Sequence, residues 1–159
     1  MDTAPSPQSL IAPCGMNCAL CLAYQAQLYD LQKEGFHRKY CPGCIPRGEH
    51  CVHMRSACQA IGAGQVRFCF TCDDFPCKRL RALDKRYRTK YHMSMIGNLR
   101  FLQSHGMTAF LADQARQWTC PACGEHMLCC HNGLCLHCDL AILQSNSQYR
   151  WGEQAARKG

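Results

Sequence analysis

The sequence is poor in aliphatic side chains for its length. Hydrophobic residues make up 47% of 159, but 16 of them are cysteine, and without those the fraction falls to roughly 37%. A chain of this size suits one ordinary domain or two small ones, so something besides apolar burial must help to hold it together. No stretch reads as a membrane span. The uncharged run from Thr3 to Tyr29 is interrupted by three prolines, a glycine, an asparagine and several glutamines, whereas a spanning helix needs about 20 mostly apolar residues. No positive n-region and no small-residue cleavage site precede Cys14 in MDTAPSPQSLIAP, so a signal peptide is not expected. The expected location is cytoplasmic, where clustered cysteines are metal ligands rather than disulfides.

Catalytic signatures are missing as well. There is no Gly-rich phosphate loop, no His-x-Glu beside a cysteine pair, and no metal motif with an evident open position. The adjacent carboxylates Asp73 and Asp74 point different ways and read as loop solvation. These absences identify no small-molecule substrate. They favour a binding or adaptor module over an enzyme, with a metal-dependent enzyme acting on nucleic acid as the alternative.

What the chain has in abundance is cysteine at metal-ligand spacing. Five Cys-x2-Cys pairs occur, Cys18/Cys21, Cys41/Cys44, Cys69/Cys72, Cys120/Cys123 and Cys135/Cys138. Their intervals are irregular, which excludes a tandem finger array. Ten cysteines lie between Cys14 and Cys77 and six between Cys120 and Cys138, separated by a cysteine-free stretch from Lys78 to Thr119. That stretch carries apolar residues at Leu80, Leu83, Tyr87 and Tyr91, then Met95, Leu99 and Leu102, then Phe110 and Leu111. The spacing predicts helices broken at Gly97 and at Ser104 to Gly106. A further helix is expected through ALCLAYQAQLYDLQKEG, stopped by Gly35.

The expected fold is therefore a small metal-stabilised α-rich cysteine domain with irregular loops over residues 11–118, helical in its second half. A C-terminal β-hairpin zinc ribbon follows over 119–142, and then a polar, frayed tail over 143–159. In the ribbon, CPACG and CLHC each aim two thiolates at one ion, and two such turns complete a closed tetrahedron of Cys120, Cys123, Cys135 and Cys138. Asn132-Gly133 suits a two-residue type I′ turn, which pairs His131 with Leu134 and sets Cys130 opposite Cys135. Cys129 and Cys130 are then spare thiols, and His126 and His137 surface residues.

The N-terminal group, Cys14, Cys18, Cys21, Cys41, Cys44, Cys51, Cys58, Cys69, Cys72 and Cys77, exceeds two four-ligand sites by two. One zinc shared by Cys41, Cys44, Cys69 and Cys72 is the simplest arrangement, leaving Cys14, Cys18 and Cys21 to be completed by Cys51, Cys58 or Cys77. His50 and His53 are candidate substitutes at one corner. The Cys-x3-Cys-x2-Cys triplet in CGMNCALC is also the spacing of radical iron-sulfur enzymes. Those wrap their cluster in a barrel of strand-helix units, for which this chain has neither the length nor the β pattern. A non-radical 4Fe-4S cluster on Cys14, Cys18, Cys21 and one further cysteine stays open, because three clustered thiols and a remote fourth can hold one. Two to three zinc ions are the leading expectation, and an iron-sulfur protein in electron transfer or redox sensing is the alternative.

Taken together, APCGMNCALCLAY, then CPGC, CVHMRSAC and FCFTCDDFPC followed by a basic helix resemble a widespread bacterial and archaeal family. It is the cysteine-rich domain-of-unknown-function family thirty-seven ninety-five. The resemblance covers roughly Ile11 to Trp118 and implies zinc binding, with Cys14, Cys18, Cys21, Cys41, Cys44, Cys58, Cys69, Cys72 and Cys77 as ligands. A trailing ribbon like Cys120 to Cys138 accompanies many members. The stretch between Cys51 and Cys58 is longer than the family's usual spacing.

Charge points to a local partner surface rather than a global one. The formal net charge is +7, but fourteen thiolates on three zinc ions would add fourteen negative and six positive charges and leave about −1, because ligands bind deprotonated. Between Lys78 and Lys90 seven residues are basic and one, Asp84, is acidic. With the stripe of Leu80, Leu83, Tyr87 and Tyr91 facing inward, the basic residues are free to meet a nucleic acid or an acidic protein.

Overall fold

The structure is a computed structural model that describes residues 4–45 and 58–152. Cys51, His50 and His53 lie outside the described residues. Among the described residues five α-helices follow one another: α1 (Leu22–Leu28), the single turn α2 (Gln59–Gly62), α3 (Lys78–Tyr91), α4 (Met95–Trp118) and α5 (Leu140–Ser145). Short 3-10 turns occupy Pro7–Leu10, Cys18–Leu20, Leu31–Glu34 and Cys69–Thr71.

The hairpin of α3 and α4 is the helical body expected from the sequence. Leu80, Leu83, Met95, Leu99, Leu102 and Phe110 are all buried, each contributing about 1.5–3 kcal/mol where burial is complete. The Cys77 sulfur accepts the Leu80 N–H at 3.5 Å and opens α3. His92, left-handed at φ 54, closes it. Ser94 caps α4 by accepting the Gly97 N–H at 2.9 Å, so Gly97 sits inside the helix and breaks nothing. The break comes at Gly106, whose φ of 85 and ψ of 171 kink α4. Asp84 is not part of the charged surface. It is buried at the crossing and accepts from the Ser94 hydroxyl (2.6 Å), the Ile96 N–H (3.0 Å) and the Arg88 Nε (2.6 Å). Burial alone would push its carboxyl up, but these three donors outweigh that and hold it below the usual carboxylate range.

The N-terminal loop packs on this body. Ala12 donates to the Met16 carbonyl at 2.8 Å, closing the loop that carries Cys14. Gly15, at φ +90, lies so close to α4 that a Cβ would meet the Met95 carbonyl oxygen at 2.6 Å. Asn98 donates to the Gly15 carbonyl at 2.9 Å. Arg67 lies 4.1 Å over the Phe68 ring and donates to the Ile11 and Gln8 carbonyls.

A second core joins α1 to the C-terminal segment. It gathers Leu22, Ala26, Leu31 and Phe36 with Cys129, Leu136, Leu143, Tyr149 and Trp151. Phe36 and Trp151 have ring centroids 4.6 Å apart, and Gly152 donates to the Gly35 carbonyl at 2.7 Å. Residues 149–152, expected in a frayed tail, are thus packed against the turn that ends at Gly35. Gly35 itself is left-handed at φ 90, as a helix stop requires.

The C-terminal β-hairpin is not formed. Among the described residues there is no strand, only the isolated bridges Ile11–Asn17, Phe36–Trp151 and Thr119–Met127. Asn132 does not take the positive φ a type I′ turn needs. Its side chain instead accepts the Leu134 N–H, and Cys129 rather than His131 pairs with Leu134 (2.8 Å). The segment is held against residues 20–22 instead: Cys130 donates its backbone N–H to the Leu20 carbonyl (2.9 Å), and the His131 ring Nδ1 accepts the Leu22 N–H (3.3 Å). Among the described residues no helix is long and apolar enough to cross a membrane.

Candidate metal centres

The tightest thiol group is C-terminal. The sulfurs of Cys120, Cys123, Cys135 and Cys138 all lie within 4.8 Å of one another. Four Zn–S bonds of about 2.3 Å would set sulfurs roughly 3.8 Å apart, so the donor set and its span fit one tetrahedral ion. Each half is a backbone turn: Gly124, left-handed at φ 69, donates to the Cys120 carbonyl (2.8 Å), and Asp139 donates to the Cys135 carbonyl (2.7 Å) while its carboxylate accepts the Cys135 N–H (3.0 Å). The Glu125 and His126 N–H groups aim at the Cys123 sulfur and pull its thiol down to about 7. Cys138, beside the Cys135 and Cys123 thiols, is pushed up to about 12. Thiols this close cannot all ionise unaided, and a cation among them removes that conflict.

Cys129 and Cys130 stand outside this group and are buried in the two cores. Burial pushes the Cys129 thiol up to about 12, and Cys130 in the same direction. His137 is exposed and His126 half-buried; their rings lie 4.5 Å apart beside Tyr29, and neither belongs to the thiol group.

The N-terminal cysteines sort into two further groups, differently from the shared Cys41, Cys44, Cys69, Cys72 site expected above. Cys58, Cys69, Cys72 and Cys77 line one apolar cavity of about 30 Å³, the scale of a single water or ion. Burial, then Cys58, Cys77 and Cys72, push the Cys69 thiol up to about 12. Cys14, Cys18, Cys21, Cys41 and Cys44 line a second cavity of about 280 Å³ with Tyr24, Tyr87 and His131 in its walls. There Cys44 and burial push Cys18 up, and burial does the same for Cys21.

Backbone bonds decide this sorting. Cys41 donates to the Ala23 carbonyl (3.3 Å), which brings the CPGC knuckle to the start of α1, and Cys69 donates to the Pro13 carbonyl (2.9 Å). The knuckles themselves repeat one design, since Cys21 donates to Cys18 and Cys72 to Cys69, each at 3.0 Å. The wall residues Tyr24 and His131 carry no sequence signal that would have found them.

On α3, all seven basic residues from Lys78 to Lys90 are exposed. Arg88 is tied to Asp84, and Arg81 donates to the Pro76 carbonyl.

The chain is thus a helix-rich, cysteine-rich protein with a thiol cluster that could hold a metal ion. Residues 10–82 match the model of the family described as "Protein of unknown function (DUF3795)". The match holds all ten N-terminal cysteines and ends within α3, short of the Trp118 limit suggested by the resemblance. No curated protein and no solved structure matches the chain.

Proposed function

We propose that the protein is a multi-zinc binding or adaptor module, with one structural ion on Cys120, Cys123, Cys135 and Cys138, a second on Cys58, Cys69, Cys72 and Cys77, and a third among Cys14, Cys18, Cys21, Cys41 and Cys44. The observation that carries this reading is the convergence of four sulfurs within 4.8 Å. A four-thiolate zinc is closed, offers no position to substrate, and stabilises the fold around it. The exposed basic face of α3 would meet an acidic partner, nucleic acid or protein, by phosphate or carboxylate contacts. A reducing cytoplasmic setting would keep the thiols available.

A second reading attaches to the N-terminal cavity. Five thiols around about 280 Å³ offer more room than one zinc ion fills, and a 4Fe-4S cluster on Cys14, Cys18, Cys21 and one of Cys41 or Cys44 suits that size. Elemental analysis with a visible spectrum, on protein purified without oxygen, separates the two. Zinc near three per chain and no absorbance beyond the aromatic band supports the first; iron near four per chain with a brown colour replaces it by the second.

A further inference from the structure

A cleft of about 420 Å³ opens between the start of α1, α3 and the C-terminal segment, within the range of small-molecule sites. Its charged residues are both cationic. Arg38 and Arg86 line it, and among the described residues no carboxylate forms an ion pair with either. Arg38 holds its guanidinium 5.6 Å from the Tyr149 ring centroid. Aromatic rings supply much of the remaining wall: Tyr87 and Tyr91 lie 5.0 Å apart, and Tyr91 lies 4.9 Å from His131.

His131 cannot contribute a competing positive charge near neutral pH, because burial, then Arg38 and Arg86, hold it down to about 4. Its Nδ1 accepts from the Leu22 N–H, so its ring proton sits on Nε2, 3.3 Å from the Tyr87 hydroxyl. Tyr87 and His131 also line the Cys14–Cys44 cavity, so the cleft and that cavity share a wall.

We propose that this cleft binds a small anion carrying a planar ring, of the nucleoside-monophosphate class, with the phosphate between Arg38 and Arg86 and the base against the tyrosine rings. Two guanidinium groups with no carboxylate partner among the described residues match a phosphate in charge and geometry. Aromatic faces accept any base by stacking, without reading its edge. The site does not depend on which metal the thiols hold.

Calorimetric titration of the metal-replete full chain with AMP tests this. Saturable one-to-one binding at about 100 µM or tighter is expected, with adenosine, ribose 5-phosphate and inorganic phosphate each weaker by about tenfold or more. Arg38→Gln and Arg86→Gln should each weaken AMP by about tenfold or more. Lys85→Gln, exposed on the same helix outside the cleft, should change it less than about twofold. No saturation by about 1 mM, phosphate binding as tightly as AMP, or equal losses from Lys85→Gln and Arg86→Gln would each overturn the proposal. So would binding of a five-nucleotide single strand in the absence of any AMP binding.

Discussion

Gly15→Ala places a single methyl where the Cys14 loop meets α4. Two costs add. At φ +90 an L side chain is strained by about 1–2 kcal/mol. The new Cβ would also lie 2.6 Å from the Met95 carbonyl oxygen and 3.0 Å from Leu99 Cγ. Backbone cannot turn aside as a side-chain end can, so loop and helix must separate, with an overpacking cost of about 1–3 kcal/mol and strain on the Asn98 bond to the Gly15 carbonyl. The sum is about 2–5 kcal/mol. Gly64→Ala supplies the comparison, because Gly64 is also left-handed (φ +69) but has nothing within 4 Å of a Cβ; it should lose only the strain, about 1–2 kcal/mol. Urea unfolding of both variants in metal-replete buffer, followed by circular dichroism, reads the difference as a shift in midpoint at unchanged slope. If Gly15→Ala is no more costly than Gly64→Ala, the close packing of the Cys14 loop on α4 is wrong.

Asp84→Ala removes two buried bonds to a carboxylate, from Ser94 and Ile96, and should cost about 3 kcal/mol. The half-exposed Arg88 adds little. Asp84→Asn keeps the one oxygen that accepts from both Ser94 and Ile96 and should cost about 1 kcal/mol, and equal losses in the same urea assay would contradict the bracket. His131 stays neutral in the folded chain down to about pH 4, while an unfolded histidine takes up its proton near 6.5. The unfolded state therefore binds more protons across that window, and stability falls as pH drops from about 6.5 toward 4. His131→Gln should lose roughly 1–2 kcal/mol less than the parent between pH 7 and 5; identical pH dependence in the two proteins would refute burial of the neutral ring. Cys123→Ser should lower metal content by about one ion per chain, whereas Cys129→Ala, outside the four-thiol group, should leave it unchanged, as read by elemental analysis.

The helical body was legible because its signal is local. Leu80 and Leu83, then Met95, Leu99 and Leu102, recur at the helical period and are the residues that end up buried. The convergence of CPAC with CLHC was legible for a similar reason, since each turn fixes its own pair and the intervening chain is short. Long-range backbone bonds decided what was not. Asn132-Gly133 has the composition of a hairpin turn, yet the Cys130 backbone N–H goes to Leu20 and the His131 ring takes the Leu22 N–H, which hold the segment against residues 20–22 rather than in a ladder. The pairing of CPGC with the N-terminal triplet rests on Cys41 reaching Ala23, which no spacing rule encodes. Tyr149 and Trp151 lie among polar residues in sequence but fill the second core beside Phe36. Asp84 looked like one more charge on a charged helix, and its burial depends on Ser94 and Ile96 meeting it from α4.

Native mass spectrometry of the intact, gently purified chain tests most directly whether these thiols are metal ligands. The mass expected is that of the reduced polypeptide plus three zinc ions, less the protons displaced from their ligands, with Cys135→Ser carrying one zinc fewer. A metal-free mass, or one lowered by about two hydrogens for each cysteine pair as disulfides would give, would contradict it.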